Sequence, residues 1–422
     1  MKFWVLVVFL GITSLMAGEI PSESTAPLTL SQCYALALER SETIGLTQED
    51  VALAEAQYEQ VRAAVLPQAG FLFTDKFQDI GGSSGSSLRR ETPQAGFYGH
   101  QLLFAGFREF AAMKGQKHQI QSRARDVDQA RLLLYEDVAR VFFTVAANDL
   151  EIKSLETLIR LSQDRVGELR KRVAVGRSRD SEILSTESQW ANLEARRQAA
   201  QGYRASALEV LSFLIGQRVS GVQDDFPETV LPPPLERYLS QTPSRPDVQS
   251  VLSQRESRRQ FSLAARRSYW PTLNLDGNYY TQRVGANESV DWDLFLVLDV
   301  PFYKGGETQA DARTAKSLER SVALRWSQVQ RTAEREVRER YQNVLSYVAQ
   351  VEKLERSASL AQKNYEMQRR EYTMGLVSNL EVLAALNTWQ EASSAWERTR
   401  LQSKNAAVLL ELAVGRTPGE NP

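Results

Sequence analysis

"YTMGLVSNLEVLAALNTW", Tyr372 to Trp389, decides how this chain is read. It scans as helix on both sides of Gly375, and its pattern occurs twice. The earlier copy is "RVAVGRSRDSEILSTESQW", Arg172 to Trp190, with Gly176 in the matching place. The separation is 375 − 176 = 199, and Trp389 with Trp190 and Gly415 with Gly216 keep the same spacing. Glycine accepts the left-handed backbone that often ends a helix. Each stretch therefore reads as the end of one helix, a reversal, and the start of a return helix.

Upstream of both glycines runs an apolar seam in 3-4 steps. In the first copy it holds Val138, Val141, Val145, Asn148, Ile152, Leu155, Ile159, Ser162, Val166, Leu169 and Val173. Adding 199 gives Val337, Arg340, Val344, Tyr347, Val351, Leu354, Ala358, Ala361, Tyr365, Gln368 and Tyr372. A heptad repeat of this length predicts coiled-coil packing of long antiparallel helices. The predicted helices run from about Phe107 to Val173 and from Glu307 to Tyr372, with return helices to Leu214 and Leu412. At 1.5 Å per residue, an arm of that size reaches roughly 100 Å.

Further upstream each copy holds two strand-like runs, preceded by a helix that ends at a proline. The helices are Ser31 to about Leu66 and Asp247 to Tyr269. "PTLNLDGNYYTQ" puts Leu273, Leu275 and Tyr279 on one face and Asn274, Asp276 and Asn278 on the other. "VDWDLFLVLDVPF" puts Trp292, Leu294, Leu296, Leu298 and Val300 on one face; Asp291, Asp293 and Asp299 share the other with Phe295 and Val297. In the first copy Phe71, Phe73 and Phe77 alternate with Leu72, Thr74 and Lys76. Such alternation fits a soluble sheet with one wet face, and equally a tilted strand of about ten residues spanning a membrane, with Trp270, Tyr279, Tyr280 and Trp292 as interfacial aromatics. Four strands are too few to close a membrane barrel, so the second option requires several chains to share one.

The expected organisation is a leader (1–18), a first repeat (28–220), a proline-rich linker (221–246), a second repeat (247–416) and a short tail (417–422). "GGSSGSS", Gly81 to Ser87, reads as an exposed loop. "MKFWVLVVFLGITSLMAG" has Lys2, an apolar stretch and small residues at Ala17 and Gly18, the layout of a secretory signal peptide.

Net charge is −1, which offers no basic field for nucleic acid, and mean hydropathy is −0.37, which is too polar for a bundle of membrane helices. One cysteine, Cys33, excludes an internal disulfide framework, and two histidines leave little for a zinc site. G-x-G-x-x-G, P-loop and H-E-x-x-H motifs are absent. No enzyme activity and no cofactor are expected.

In duplicated architecture and motif order, the chain resembles the TolC-like outer-membrane efflux proteins. The carriers are the opening "LTLSQCYALALERSETI", the junctions "LLFAGFR" and "VPFYKGGE", and the turns "VGRSRDSEIL" and "MGLVSNLEVL". The resemblance implies a mainly helical fold with membrane β: a homotrimer with a 12-stranded β-barrel in outer-membrane lipid and an α-barrel across the periplasm. It implies an exit duct joined through a periplasmic adaptor to an inner-membrane pump or exporter. It marks Val175, Gly176, Arg177 and Ser178, with Met374, Gly375, Leu376, Val377 and Ser378, as adaptor-docking tips. Glu381, with Glu182 as its partner in the first copy, falls where some members ring the entrance with acid. Ala384 stands where some members have a second acid, and "GRSRD" makes the first tip the more polar. The competing reading is a periplasmic coiled-coil adaptor or structural protein.

Overall fold

A computed structural model describes residues 26–78, 91–285 and 287–418. The expected leader, the Gly81–Ser87 loop and residues 419–422 lie outside the described residues. The chain divides into two units, residues 1–40 with 141–226, and 41–140 with 227–422.

In the first unit, α1 (Leu30–Arg40) packs on α4 (Asp180–Ile215). Thr29 starts α1 with a reciprocal cap: its N–H donates to Gln32 Oε1 at 3.0 Å, and the Gln32 N–H donates to Thr29 Oγ1 at 3.4 Å. The buried face carries Leu30, Cys33 and Ala37, spaced i, i+3, i+7. Burial pushes the Cys33 thiol up to about 12, so it stays protonated and inert. The later part of α3 (Arg108–Ala174) is bound to α4 by the Arg204–Asp149 and Arg170–Glu187 ion pairs. Buried Thr186, Leu193, Ala200 and Ala207 of α4 recur every seven residues, as antiparallel heptad packing requires.

The second unit holds α2 (Glu42–Ala63), β1 (Gln68–Phe77), β2 (Glu91–Phe104), the start of α3, α5 (Leu235–Leu239) and α6 (Pro246–Arg266). It continues with β3 (Thr272–Arg283), β4 (Trp292–Asp299), α7 (Glu307–Thr373) and α8 (Asn379–Ala413). α7 packs along α8 on one side and α6 on another. None of the seam positions of α3 or α7 is exposed, so the predicted heptad stripe is the packing stripe. Tyr365 of the seam stacks on Trp389 of α8, ring centroids 5.5 Å apart. A cluster of Val337, Val344, Ala406, Leu410, Ala413 and Val414 closes over Tyr238 of α5. So the linker contributes a side chain to the core.

Arg245, just before α6, is 7% exposed. Its guanidinium donates to Asp247 at 3.0 Å, Glu336 at 3.0 Å and the Ala413 carbonyl at 2.7 Å. One buried cation thus joins α6, α7 and the end of α8.

The expectation of one helix from Ser31 to about Leu66 is corrected: two helices meet at Ser41. Ser41 leaves helical geometry (φ −67°, ψ 107°), and its Oγ accepts from the Ile44 N–H at 3.3 Å. The four strands form one antiparallel sheet in the order β1-β2-β3-β4. Among the described residues no helix is long and apolar enough to cross a membrane.

Candidate functional site: helix-reversal turns and a two-faced sheet

The two turns share one backbone device. In the second, the Gly375 N–H donates to the Tyr372 carbonyl (3.0 Å) and the Leu376 N–H to the Glu371 carbonyl (3.0 Å). In the first, Gly176 donates to Val173 (2.9 Å) and Arg177 to Arg172 (2.8 Å). This is the Schellman pattern, with φ of +78° at Gly375 and +71° at Gly176. A Cβ added at either glycine meets nothing within 4 Å. The cost of a side chain is therefore conformational, roughly 1–2 kcal/mol and greatest for a β-branched residue. We predict that Gly375→Val speeds limited proteolysis at this turn while Gly375→Asn, which tolerates the left-handed region, does not. Equal rates would show that the turn does not depend on that conformation.

The turns differ in how the return helix starts. Ser378 and Glu381 form a full capping box. Glu381 Oε2 accepts from the Ser378 N–H (2.6 Å) and Oγ (2.8 Å), and Ser378 Oγ accepts from the Glu381 N–H at 3.4 Å. These bonds, the backbone one first, hold the Glu381 carboxyl below its ordinary value. The box is thus complete at neutral pH and is lost as pH falls through that lowered value. In the first turn the N-cap is Arg179, which makes no side-chain cap, and Ser178 Oγ donates to Glu182 Oε2 at 2.8 Å. Val175, Met374 and Leu376 are about 70% exposed, so both turns present apolar side chains to solvent.

The register sorts the sheet into two faces. Phe71, Phe97, Tyr279 and Trp292 form one row across all four strands, and Gln101, Leu275 and Leu296 form another on the same face. This face is apolar and unburied: Phe71, Phe97, Tyr279, Trp292, Leu294, Leu296 and Leu298 are all exposed. The opposite face is polar. Asn278 Nδ2 and Tyr280 Oη donate to Asp293 (2.8 and 2.9 Å), and His100 Nδ1 lies 2.6 Å from Asp276 Oδ1. Phe295 and Val297 depart from this pattern on the polar face.

The apolar face ends in an aromatic chain of which the sequence signals only Trp270. Phe104 contacts Phe107 (5.3 Å between centroids) and Trp270 (6.4 Å), and Phe107 contacts Phe110 (6.2 Å). Trp270 stands just before β3 and Tyr279 within it, so aromatics flank the apolar residues Leu273 and Leu275 of that strand. Phe107 holds φ +59°, while the residue 199 positions later is Gly306, at φ +89°. An aromatic in that region stores roughly 1–3 kcal/mol of strain, and the Arg267 guanidinium supports it by donating to the Phe107 carbonyl at 2.9 Å. The difference between the copies is visible as "FAGF" set against "YKGG".

Solved structures share this architecture. The outer membrane protein VceC from Vibrio cholerae matches with a TM-score of 0.82 at 16% identity, covering 92% of this chain and 96% of its own. The CmeC outer membrane channel of Campylobacter jejuni gives 0.80 at 17% identity, covering 100% and 95%. The open state of the MtrE outer membrane channel of Neisseria gonorrhoeae gives 0.77 at 17% identity, covering 92% and 88%. At such identities the likeness shows the fold alone. No curated protein matches the chain. In sequence, residues 33–217 and 242–416 match the outer membrane efflux protein family. A match over most of the chain, joined to this fold, makes the protein a member of the outer membrane efflux protein family.

Proposed function

We propose that the chain is the outer-membrane exit duct of a tripartite export assembly, working as a homotrimer with no catalytic step of its own. The observation that carries this is the sheet: one face is apolar and exposed, and both edge strands, β1 and β4, are unpaired among the described residues. Open edges are not tolerated in lipid. Three copies joining β4 to the next β1 give 12 strands and put the polar face inside.

On this reading the turns at Val175–Ser178 and Met374–Ser378 form the periplasmic entrance and receive the hairpins of an adaptor that links the duct to an inner-membrane pump. Each turn offers its own exposed apolar residues for docking, Val175 beside Gly176 in the first and Met374 with Leu376 around Gly375 in the second. Their unequal caps imply unequal docking: the return helix of the second turn starts with a capping box, and the first turn carries the charges of Arg177 and Arg179. Glu182 and Glu381 set the charge of the aperture. An acid ring attracts cations, and a partner that binds the open packing better shifts the gate toward it.

The decisive experiment is the mass of the mature protein taken from outer membranes in detergent, corrected for bound detergent. A trimer is expected. A monomer soluble without detergent overturns the duct and leaves a periplasmic coiled-coil protein. For the gate, Glu381→Gln is the informative change, because glutamine keeps the capping geometry and drops the charge. We predict weaker cation selectivity in single-channel recordings with thermal stability nearly unchanged. Unaltered selectivity would reduce Glu381 to a helix cap.

A further inference from the structure

An open groove of about 500 Å³ lies over α6, between α3 and α7, just past the aromatic chain. Its charged lining is Lys114 from α3, Arg259 and Arg266 from α6, and Lys316 from α7, against Glu256 and Glu319, with His118 beside them. Four permanent cations face two acids. Arg259 is paired with Glu256 (3.5 Å) and Lys316 with Glu319 (2.8 Å). Lys114 and Arg266 make no salt bridge within 4.0 Å among the described residues, although the charge of Arg266 helps Lys316 hold the Glu319 carboxyl below its ordinary value.

Position says what these cations are for. Phe110 continues the rings that run from Phe104 on the apolar face, and Lys114 stands four residues further along the same exposed helical stripe. On α6, Arg266 stands four residues before Trp270. One helical turn is about 5 Å. Lys114 therefore sits one turn beyond Phe110 on α3, and Arg266 ends α6, separated from Trp270 by the 3-10 turn Arg267–Tyr269. In a bilayer, aromatic rings mark the level of the glycerol backbone and long cationic side chains reach the phosphates just outside it. Arginine and lysine together suit a phosphate monoanion, arginine through paired N–H donors.

We propose that this groove binds the phosphate-bearing headgroup of an anionic phospholipid in the periplasm-facing leaflet, with Lys114 and Arg266 as the principal contacts and Arg259 and Lys316 as the outer wall. The site rests on the membrane reading above. It seats each chain at a defined depth, so the helices leave the bilayer at a fixed level.

The test is native mass spectrometry of the detergent-purified protein, offered phosphatidylglycerol or phosphatidylethanolamine in equal amounts. Preferential retention of phosphatidylglycerol is expected, with the Lys114→Gln/Arg266→Gln double variant losing about tenfold or more of that preference. Arg331→Gln, on α7 outside the groove, should keep it. Equal retention of the two lipids, or a double variant as selective as the parent, overturns the site. So does full displacement of the lipid by millimolar inorganic phosphate, which would make the groove a soluble-anion site. The same spectra report the number of chains. A trimer without lipid preference refutes the groove alone, whereas a detergent-free monomer refutes the duct reading from which it was built.

Discussion

Leu296→Arg should abolish accumulation of the protein in the outer membrane, while Phe295→Arg, one residue away, should insert and form channels. Leu296 is mid-strand on the exposed apolar face, in register with Leu275; Phe295 points to the polar face, opposite Asp276. A charge on the lipid face near the midplane costs about 2–4 kcal/mol per chain. In the proposed trimer the lesion occurs three times, so the total of roughly 6–12 kcal/mol is comparable with the stability of a typical folded domain. At position 295 the same guanidinium meets water and the carboxylates of the polar face. The readout is the amount of heat-dissociable trimer in outer-membrane fractions. Equal insertion of both variants would show that the apolar face is not turned to lipid.

Arg245→Ala is the second change expected to act strongly, and it lies in the helical region. Burial alone would lower the value of this guanidinium, but Asp247 and Glu336 outweigh that effect and hold it above the ordinary one. Deleting one member of such a cluster leaves the others desolvated and unpaired, a loss of about 3–5 kcal/mol. The partner carboxylates keep about 30% of their surface, which places the loss toward the lower end. It also frees the Ala413 carbonyl at the end of α8. The thermal midpoint of R245A should fall well below that of the parent. Adding Glu336→Ala to R245A should cost less than it does alone, since the pair has already been broken. Strict additivity would show that the two side chains are not energetically coupled.

Much of the architecture was legible because it is written as repeats. The 199-residue offset and the 3-4 seam survive in any local reading, and Gly176 and Gly375 mark the reversals by their conformational freedom. The break at Ser41 was not legible: helix-forming residues continue on both sides, and α1 is held by its packing on α4, which no neighbouring residue encodes. Phe107 was missed because aromatic residues disfavour the left-handed backbone that it adopts. Arg245 was missed for another reason. Its partners Glu336 and Ala413 lie 91 and 168 residues away in sequence, and charge patterning reports only near neighbours.

Cys33 carries a practical consequence. The chain has a single sulfhydryl, and that one is sealed and protonated. A thiol installed elsewhere is then the only one a maleimide or nitroxide reagent can reach. Placed at Leu376, which is 70% exposed, it puts one spin label on each copy. In a threefold assembly the labels form an equilateral triangle, so one interspin distance follows the aperture as it widens, without first removing a native cysteine.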